Sequence, residues 1–372
     1  MCGGVSATAS RLGGLLDQPA DLLFVRTGVP SARTPAQIRL GTFPASAPEC
    51  SDGLETWKVI VNVTEWLLDS DPAIRWQVMR DLTSEPADLV DAERARVASE
   101  GWGAHLLGLQ DADGRWDGGT YRPGWVDETK PFFDAWTATH FSLQLLCDFG
   151  LDPQSDRARH AVALVRDNVR WDVNDAVYFE GETEPCINGI VVVIGSYFGE
   201  NVDGIVERLV EEALDDGGWN CWAEYGAKVS SFHTTICVLE GLAAWESAGG
   251  QSDAVAASRL RGEEYLLERR LFRSLSSGGV VDPRFTMFSS PTRWYYDVVR
   301  GLDYFRSTGA AVDERCAEAV DLVASRRDGE GHWPLENVHQ GPTHFRMEGP
   351  EGSPSRWNTL RARRILDWAG AD

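Results

Sequence analysis

The sequence contains little lysine and no long uninterrupted apolar run. Lys58, Lys130 and Lys228 are its three lysines, and arginine supplies the other strongly basic side chains. A net charge of −22 over 372 residues argues against a nucleic-acid partner, which needs a basic surface to meet the phosphate backbone. The most apolar stretch, 187–198, is interrupted by Asn188 and by glycines. It falls short of the roughly 20 residues of a membrane-spanning helix. We therefore expect no nucleic-acid binding and no membrane span.

Cysteine is also sparse, and its spacing is irregular. Seven cysteines are an odd number for a disulfide framework. With 43% hydrophobic residues the chain can bury a sizeable core without disulfides. The amino terminus shows no charged segment followed by an apolar core, so we expect no secretion signal. These features predict a reduced, cytoplasmic protein whose thiols are available for metal binding or packing.

The first part of the chain differs in composition from the remainder. Residues 1–54 contain clusters of Gly, Ala, Ser and Pro without sustained periodicity, which predicts a disordered tail. We expect one folded domain over 55–372. Its first two helices are predicted at 63–67 and 74–82, with Asp71 as the N-cap of the second.

The domain repeats one structural unit. Each unit has a first helix, a loop rich in Gly, Asp and Trp, and a second helix, and the second helices are predicted to start near residues 134, 184, 231, 292 and 355. Together with the first hairpin this makes about six helical pairs. Pairs of this kind must stack on their neighbours, because a single helical pair cannot bury both of its faces.

The stacked pairs could form an open solenoid or a closed ring. We favour an all-α ring of inner and outer helices, because the runs 190–194 and 236–239 are apolar on more than one face. The β-branched run 190–194 would also suit a buried strand. The neighbouring units have a helix at the same place, which favours a helix here.

A carboxylate, two thiols and an imidazole lie at the starts of two successive second helices. Glu184 and Cys186 precede one of them, His233 occupies the equivalent place in the next, and Cys221 lies in the loop between. Zinc binds oxygen, sulfur and nitrogen donors of this kind in tetrahedral sites. Three ligands would leave an open, catalytic position, whereas Cys221 as a fourth would close a structural site. The alternative is that Cys186 packs as a small apolar residue and His233 forms a hydrogen bond in the core.

The loop motifs resemble those of a known superfamily. The pattern Gln-x-x-Asp-Gly-x-Trp at 110–116 and the later Gly-Gly-Trp loop at 217–219 resemble the α/α-toroid superfamily, over about residues 55–370. That superfamily includes squalene-type cyclases and protein prenyltransferase β subunits. The β subunits hold zinc with an Asp-x-Cys motif and a later His-Thr, which are similar to Glu184-Pro185-Cys186 and His233-Thr234 here. The resemblance implies a toroid fold, bound Zn²⁺ and transferase activity.

This chain departs from both groups in the superfamily. Prenyltransferase β subunits carry basic residues before their Asp-x-Cys motif, whereas Glu180 and Glu182 stand here and predict weak binding of a prenyl diphosphate. The Asp-x-Asp-Asp acid of the squalene-type cyclases does not occur. Three hypotheses follow: a zinc-dependent transferase with a small-molecule or isoprenoid-like substrate, a cyclase-like enzyme, and a non-catalytic ligand-binding toroid with structural zinc.

Two further residues are candidate catalytic groups. Asp134 lies at the start of a second helix, where it could act as a general acid or base. His332 begins a histidine-rich segment, 332–346, that is predicted to form a lid or an ordinary repeat loop. Five aromatic residues near the same helix starts are predicted to line a substrate cavity: Trp136, Trp219, Trp294, Tyr295 and Trp357.

Overall fold

The computed structural model describes residues 62–126 and 135–371. The predicted tail 1–54 and Asp134 lie outside the described residues. Within these ranges the chain is predominantly α-helical, which confirms the all-α prediction. None of the described helices is both long and apolar enough to cross a membrane.

The described ranges contain thirteen α-helices and one small ribbon. The helices are α1 (Val63–Leu68), α2 (Pro72–Asp81), α3 (Ala87–Ala95), α4 (Gly101–Gly108), α5 (Thr139–Asp148), α6 (Asp156–Asn168), α7 (Pro185–Phe198), α8 (Asp203–Glu211), α9 (Phe232–Ser247), α10 (Asp253–Glu268), α11 (Val298–Ser307), α12 (Ala317–Ser325) and α13 (Arg356–Ala369). Short 3-10 turns occur at Arg96–Ala98, Tyr178–Glu180, Ala223–Tyr225, Pro283–Thr286 and Glu314–Cys316. The ribbon pairs β1 (Trp333–Pro334) with β2 (Pro354–Ser355) in antiparallel register.

Side-chain caps determine where several helices begin. The Asp71 carboxylate accepts a hydrogen bond from the Ala73 N–H at 2.9 Å, and Pro72 is the first residue of α2. Such a cap satisfies a backbone donor that has no partner within the helix. The prediction of an N-cap at Asp71 is therefore confirmed. Serine hydroxyls cap three later helices: Ser155 at α6, Ser252 at α10 and Ser355 at α13.

The β-branched run in the middle of the chain is helical. It lies inside α7, where Val191, Val192 and Ile194 are all buried. The helix starts with Pro185 and ends at Gly199, whose φ of 77° is the left-handed conformation of a helix end. Because α7 is buried on most sides, tertiary packing outweighs the modest preference of β-branched residues for strands.

Two second helices begin later than predicted. The helices expected near 134 and 292 start at Thr139 and Val298. Before α11 the backbone of Arg293 has a φ of 57°, which a right-handed helix cannot accommodate. Asp297 then caps α11 by accepting the Arg300 N–H at 2.8 Å.

Buried tryptophans join the first and second helices within the repeats. The indole N–H of each donates to a carbonyl ten residues earlier, in the pairs Trp116–Leu106, Trp219–Leu209 and Trp333–Val323, at 2.7, 2.6 and 2.6 Å. The backbone N–H of each donates to a threonine hydroxyl of the following helix, Thr139, Thr235 and Thr359 in turn. All three indoles have zero exposed surface. The Gly-x-Trp loops therefore fix the geometry of three helical pairs, α4 with α5, α8 with α9 and α12 with α13.

The second helices contact one another in succession. Helix α5 packs on α7, α7 on α9, and α11 on α13. Gln77 of α2 donates to the Asp148 carbonyl at the end of α5, and Arg300 of α11 pairs with Glu240 of α9 at 2.6 Å. The last helix returns to the first part of the domain, because α13 packs on α2 and Arg364 bonds to Gln77 at 2.9 Å.

Candidate metal centre

Three of the predicted metal ligands converge at the start of α7. One ligand atom each from Glu184, Cys186 and Cys221 lies within 4.8 Å of the others. The Cys186 Sγ is 2.8 Å from the Cys221 Sγ and 3.7 Å from the Glu184 Oε2. Both thiols are buried, and neither is in a disulfide. A carboxylate and two thiols thus form one compact donor group, called the donor group below.

Local structure holds both halves of the donor group in place. Glu184 is the N-cap residue of α7, so Cys186 lies in the first turn of that helix. Cys221 follows the anchored Trp219, and its N–H lies 3.4 Å from the Thr234 hydroxyl at the start of α9. Asn220 accepts the Trp222 N–H at 2.9 Å, which bends the loop at this point. The same tryptophan loop that organises the repeat therefore delivers Cys221.

The neighbouring Glu182 binds the backbone that leads into α7. Its buried carboxylate accepts the Thr183 N–H at 2.5 Å and the Glu184 N–H at 2.6 Å. Asn188 in turn accepts the Glu182 N–H at 2.8 Å. A carboxylate at this position accepts hydrogen bonds from free N–H groups, and the positive end of the helix dipole stabilises its charge. Glu182 therefore fixes the backbone that carries Glu184.

The surroundings raise the pKa of Glu184 and of Cys186. Burial, followed by the charge of Glu182, raises the pKa of Glu184 to about 7. The hydrogen bond with Cys221, followed by burial, raises the pKa of Cys186 well above its ordinary range. A bound cation reverses this balance, because metal binding to thiols and carboxylates releases their protons.

The donor set suits zinc in chemistry and, in part, in spacing. Two sulfurs and a carboxylate oxygen match its preferred ligands, and tetrahedral bond lengths require neighbouring ligand atoms to lie about 3.6–3.8 Å apart. The 3.7 Å between Glu184 and Cys186 meets this requirement. The two sulfurs at 2.8 Å would have to separate by about 1 Å.

His233, the fourth predicted ligand, lies outside the donor group. Its Nδ1 accepts the Tyr296 N–H at 2.8 Å, so the neutral ring carries its proton on Nε2 and offers no free lone pair. The ring packs edge-on against Phe285 and Trp294. Burial lowers its pKa to about 3. Here His233 positions the loop before α11.

The predicted catalytic residue His332 lies away from the donor group. It is buried against Trp66 of α1, with ring centroids 4.3 Å apart. Its Nδ1 is 3.5 Å from the Asp328 carboxylate. The other candidate, Asp134, is outside the described residues.

The predicted aromatic cavity residues are divided between two places. A cavity of about 480 Å³ lies among the second helices, and Trp357 is part of its wall. Trp136, Trp294 and Tyr295 instead form an aromatic cluster with His339, which stacks on Tyr295 at 4.1 Å. The histidine-rich segment packs on this cluster, because the backbone and indole N–H groups of Trp136 donate to carbonyls within it, those of Pro342 and Gln340. Trp219 is buried within its repeat.

The cavity also has polar residues that predictions based on helix starts do not include. Gln144 and Asp148 of α5 and Arg361 and Arg364 of α13 all line it. These pairs lie four and three residues apart, which places each pair on one face of its helix. This spacing is the sequence signal that could have identified them.

Comparisons with known proteins do not assign the chain to a family. No family model and no curated protein matches the sequence. Among solved structures, a crystal structure of a protein from Actinoplanes is similar over 81% of this chain and 90% of that one, with 13% identity and a TM-score of 0.41. At that TM-score the likeness carries no argument about fold or function.

Proposed function

We propose that this protein is a zinc-dependent enzyme of the transferase type, built on an α/α toroid. Glu184, Cys186 and Cys221 would hold the metal. The observation that supports the proposal is the convergence of these three donors within 4.8 Å, although Cys221 is 35 residues from Cys186 in sequence. Isolated buried cysteines are common in cores, but two buried cysteines beside a half-buried carboxylate form a recognisable zinc donor set.

The succession of helix contacts supports the toroid. Contacts run from α2 to α5, then through α7, α9, α11 and α13, and α13 packs on α2 again. Such an order encloses a central space, and all six of these helices line the cavity. An open solenoid would leave its first and last repeats without mutual contact.

Three protein ligands favour a catalytic role. A zinc ion with an open fourth position lowers the pKa of a bound water or thiol, which becomes a nucleophile near neutral pH. The chain would contribute the fixed geometry: Glu182 and Asn188 hold the backbone of Glu184, and the Trp219 loop holds Cys221. The proposed substrate is a small molecule that carries or accepts the activated group.

Burial supports a second candidate, a structural zinc site in a non-catalytic toroid. Cys186 and Cys221 are 7% and 9% exposed, which is typical of closed sites. His233 would be the fourth ligand in this case, after its ring releases the Tyr296 N–H.

Elemental analysis of the purified protein tests the metal proposal. We expect about one zinc per chain, and a loss of most of it in Cys186→Ala and in Cys221→Ala, because each removes one of three ligands. Cys316→Ala is the matched control, since Cys316 is also buried and lies outside the donor group. A folded protein without zinc, or equal loss in the control, would contradict the proposal.

Cobalt substitution separates the two roles. An open site admits an added thiol or imidazole, so the ligand-field bands of the cobalt protein should shift on addition. A closed site should show no shift, and its spectrum should change in His233→Gln. Insensitivity to added ligand together with sensitivity to His233→Gln would favour the structural candidate.

A further inference from the structure

We infer that the cavity among the second helices is a binding site for a small organic anion, a carboxylate or a phosphate monoester, separate from the donor group. The inference stands on the residues of the cavity alone and does not depend on the metal. It applies equally to a catalytic and a non-catalytic toroid.

The cavity has the size of a small-molecule site. Its volume of about 480 Å³ lies within the range of roughly 300–1,000 Å³ that holds such ligands. All six second helices contribute, mostly through their carboxyl-terminal halves, and the segment 290–292 covers one side. The apolar part of its wall includes Phe149, Ile190 and Trp357. An apolar body of a ligand would therefore find hydrophobic contact.

The cavity wall is rich in arginine, although the chain as a whole is acidic. The protein has a net charge of −22, yet arginines outnumber acids in the cavity wall. The arginines are Arg80, Arg300, Arg306, Arg361 and Arg364, and the acids are Asp148, Glu240 and Asp303. Asp81, which lies outside the cavity wall, pairs with Arg80 and Arg364, so the five arginines are balanced by four acids and one positive charge is in excess. A local excess of positive charge favours an anionic ligand.

Two of these arginines have donors that the protein does not use fully. The Arg361 Nε is 3.7 Å from Asp303, and its Nη1 is 3.5 Å from the Ser289 carbonyl, so both contacts are long. Asp303 already bonds to Arg306 at 2.7 Å. The buried Nε of Arg364 has no hydrogen-bond partner among the described residues. Buried donors normally have partners, and guanidinium groups bind carboxylate and phosphate oxygens especially well.

Helix α5 contributes acceptors to the cavity wall. The Oε1 of Gln144 is buried and has no hydrogen-bond partner among the residues described, and the Asp148 carboxyl group lies one helical turn further along α5 in the same wall. These acceptors suit a hydroxyl on the ligand. Burial, followed by the charge of Glu240, raises the pKa of Asp148 to about 7, which weakens its repulsion of an anion near neutral pH.

Calorimetric titration with phenyl phosphate and benzoate tests the inference, with benzyl alcohol as the neutral analogue. We expect at least one anion to bind the wild-type protein and benzyl alcohol to bind at least about tenfold more weakly. Arg361→Gln should weaken anion binding about tenfold or more, and Arg361→Lys should weaken it less because the charge remains. The matched control is Arg159→Gln, which removes an exposed arginine from α6 and should leave affinity unchanged.

Two further variants test the charge of the cavity and its independence from the donor group. Asp148→Asn should strengthen anion binding at pH 8, where the wild-type carboxylate is charged. Cys186→Ala should retain anion binding whether or not it loses zinc. The inference is overturned if neither anion binds at about 10 mM, if benzyl alcohol binds as tightly, or if Arg159→Gln loses as much affinity as Arg361→Gln.

Discussion

Gly241 of α9 faces Gly189 of α7 so closely that their backbones touch. A Cβ atom at Gly241 would lie 2.6 Å from the Gly189 carbonyl oxygen, and one at Gly189 would lie 2.4 Å from the Cys237 carbonyl oxygen. The two helices can approach this closely only because neither residue has a side chain. This contact sets the distance between α9 and α7, the helix whose first turn carries Cys186.

Gly241→Ala should therefore destabilise the protein. The added methyl group would force α7 and α9 apart at a cost of about 1–3 kcal/mol. Gly204→Ala in α8 is the control, since nothing lies within 4 Å of a Cβ there, and it should gain up to about 1 kcal/mol. Urea unfolding measures both. Equal stability of the two variants would show that the helices are not in contact at Gly241.

Trp219→Phe should destabilise the domain by about 2 kcal/mol or more. The change leaves the buried Leu209 carbonyl without its indole donor and shortens a fully buried side chain. Trp245→Phe also removes an indole hydrogen bond, to Asp203, but in an exposed place. Its effect should stay within about 0.5 kcal/mol. Thermal unfolding of the two variants, compared with the wild type, checks this difference.

Metal-free protein should form a disulfide between Cys186 and Cys221. Their sulfurs are 2.8 Å apart, so a small movement brings them to the bonding distance of about 2.05 Å. With oxidised glutathione as the oxidant, the two thiols give up two electrons and two protons, and two molecules of glutathione are released. Peptide mapping by mass spectrometry detects the linked peptides.

Bound zinc should slow this oxidation about tenfold or more, because the thiolates are then coordinated to the metal and less available to attack a disulfide. Cys316, which is buried elsewhere, should remain reduced in both forms and serves as the internal control. Failure of the metal-free protein to link Cys186 with Cys221 would contradict the observed proximity.

His140 should make the protein less stable in mild acid. Its side chain has zero exposed surface, and burial lowers its pKa to about 3. In the unfolded chain His140 has a pKa of about 6.5, so it binds a proton below that pH, whereas folded His140 stays neutral. The free energy of unfolding therefore falls as the pH drops towards 3. At pH 5 the loss from this residue is about 2 kcal/mol.

In His140→Gln the difference in unfolding free energy between pH 7 and pH 5 should shrink by about 2 kcal/mol. Urea unfolding at the two pH values gives this difference directly, independently of any overall change in stability. His160→Gln, at an exposed site on α6, controls for the substitution itself. An unchanged pH dependence in His140→Gln would mean that His140 is protonated in the folded protein.

Local signals in the sequence predict the helical units well. Asp71 and Pro72 start α2 as expected because a cap acts over three residues. The helices predicted near 184, 231 and 355 begin within a residue of those positions, at Pro185, Phe232 and Arg356. The predicted start of α11 is wrong. Arg293 has a left-handed backbone that delays the helix, and the sequence has no glycine there to signal this conformation.

The composition of the site depends on longer-range contacts. Whether His233 joins Glu184, Cys186 and Cys221 depends on a hydrogen bond from Tyr296, 63 residues after His233. The free donors of Arg361 and Arg364 likewise depend on distant residues. Asp303 bonds to Arg306 and only weakly contacts Arg361, and Asp81 pairs with another nitrogen of Arg364. Motif spacing identifies candidate donors, but competition among distant partners decides which of them remain free.

The contact between α13 and α2 has a consequence for how the domain unfolds. Stacked repeats that are free at both ends can lose their terminal units one at a time, because each unit depends only on its neighbours. Here Arg364 bonds to Gln77, and Arg356 donates to the carbonyl of Trp66, so the last helix supports the first two. Neither end can therefore fray alone, and the repeats should unfold cooperatively in a single transition.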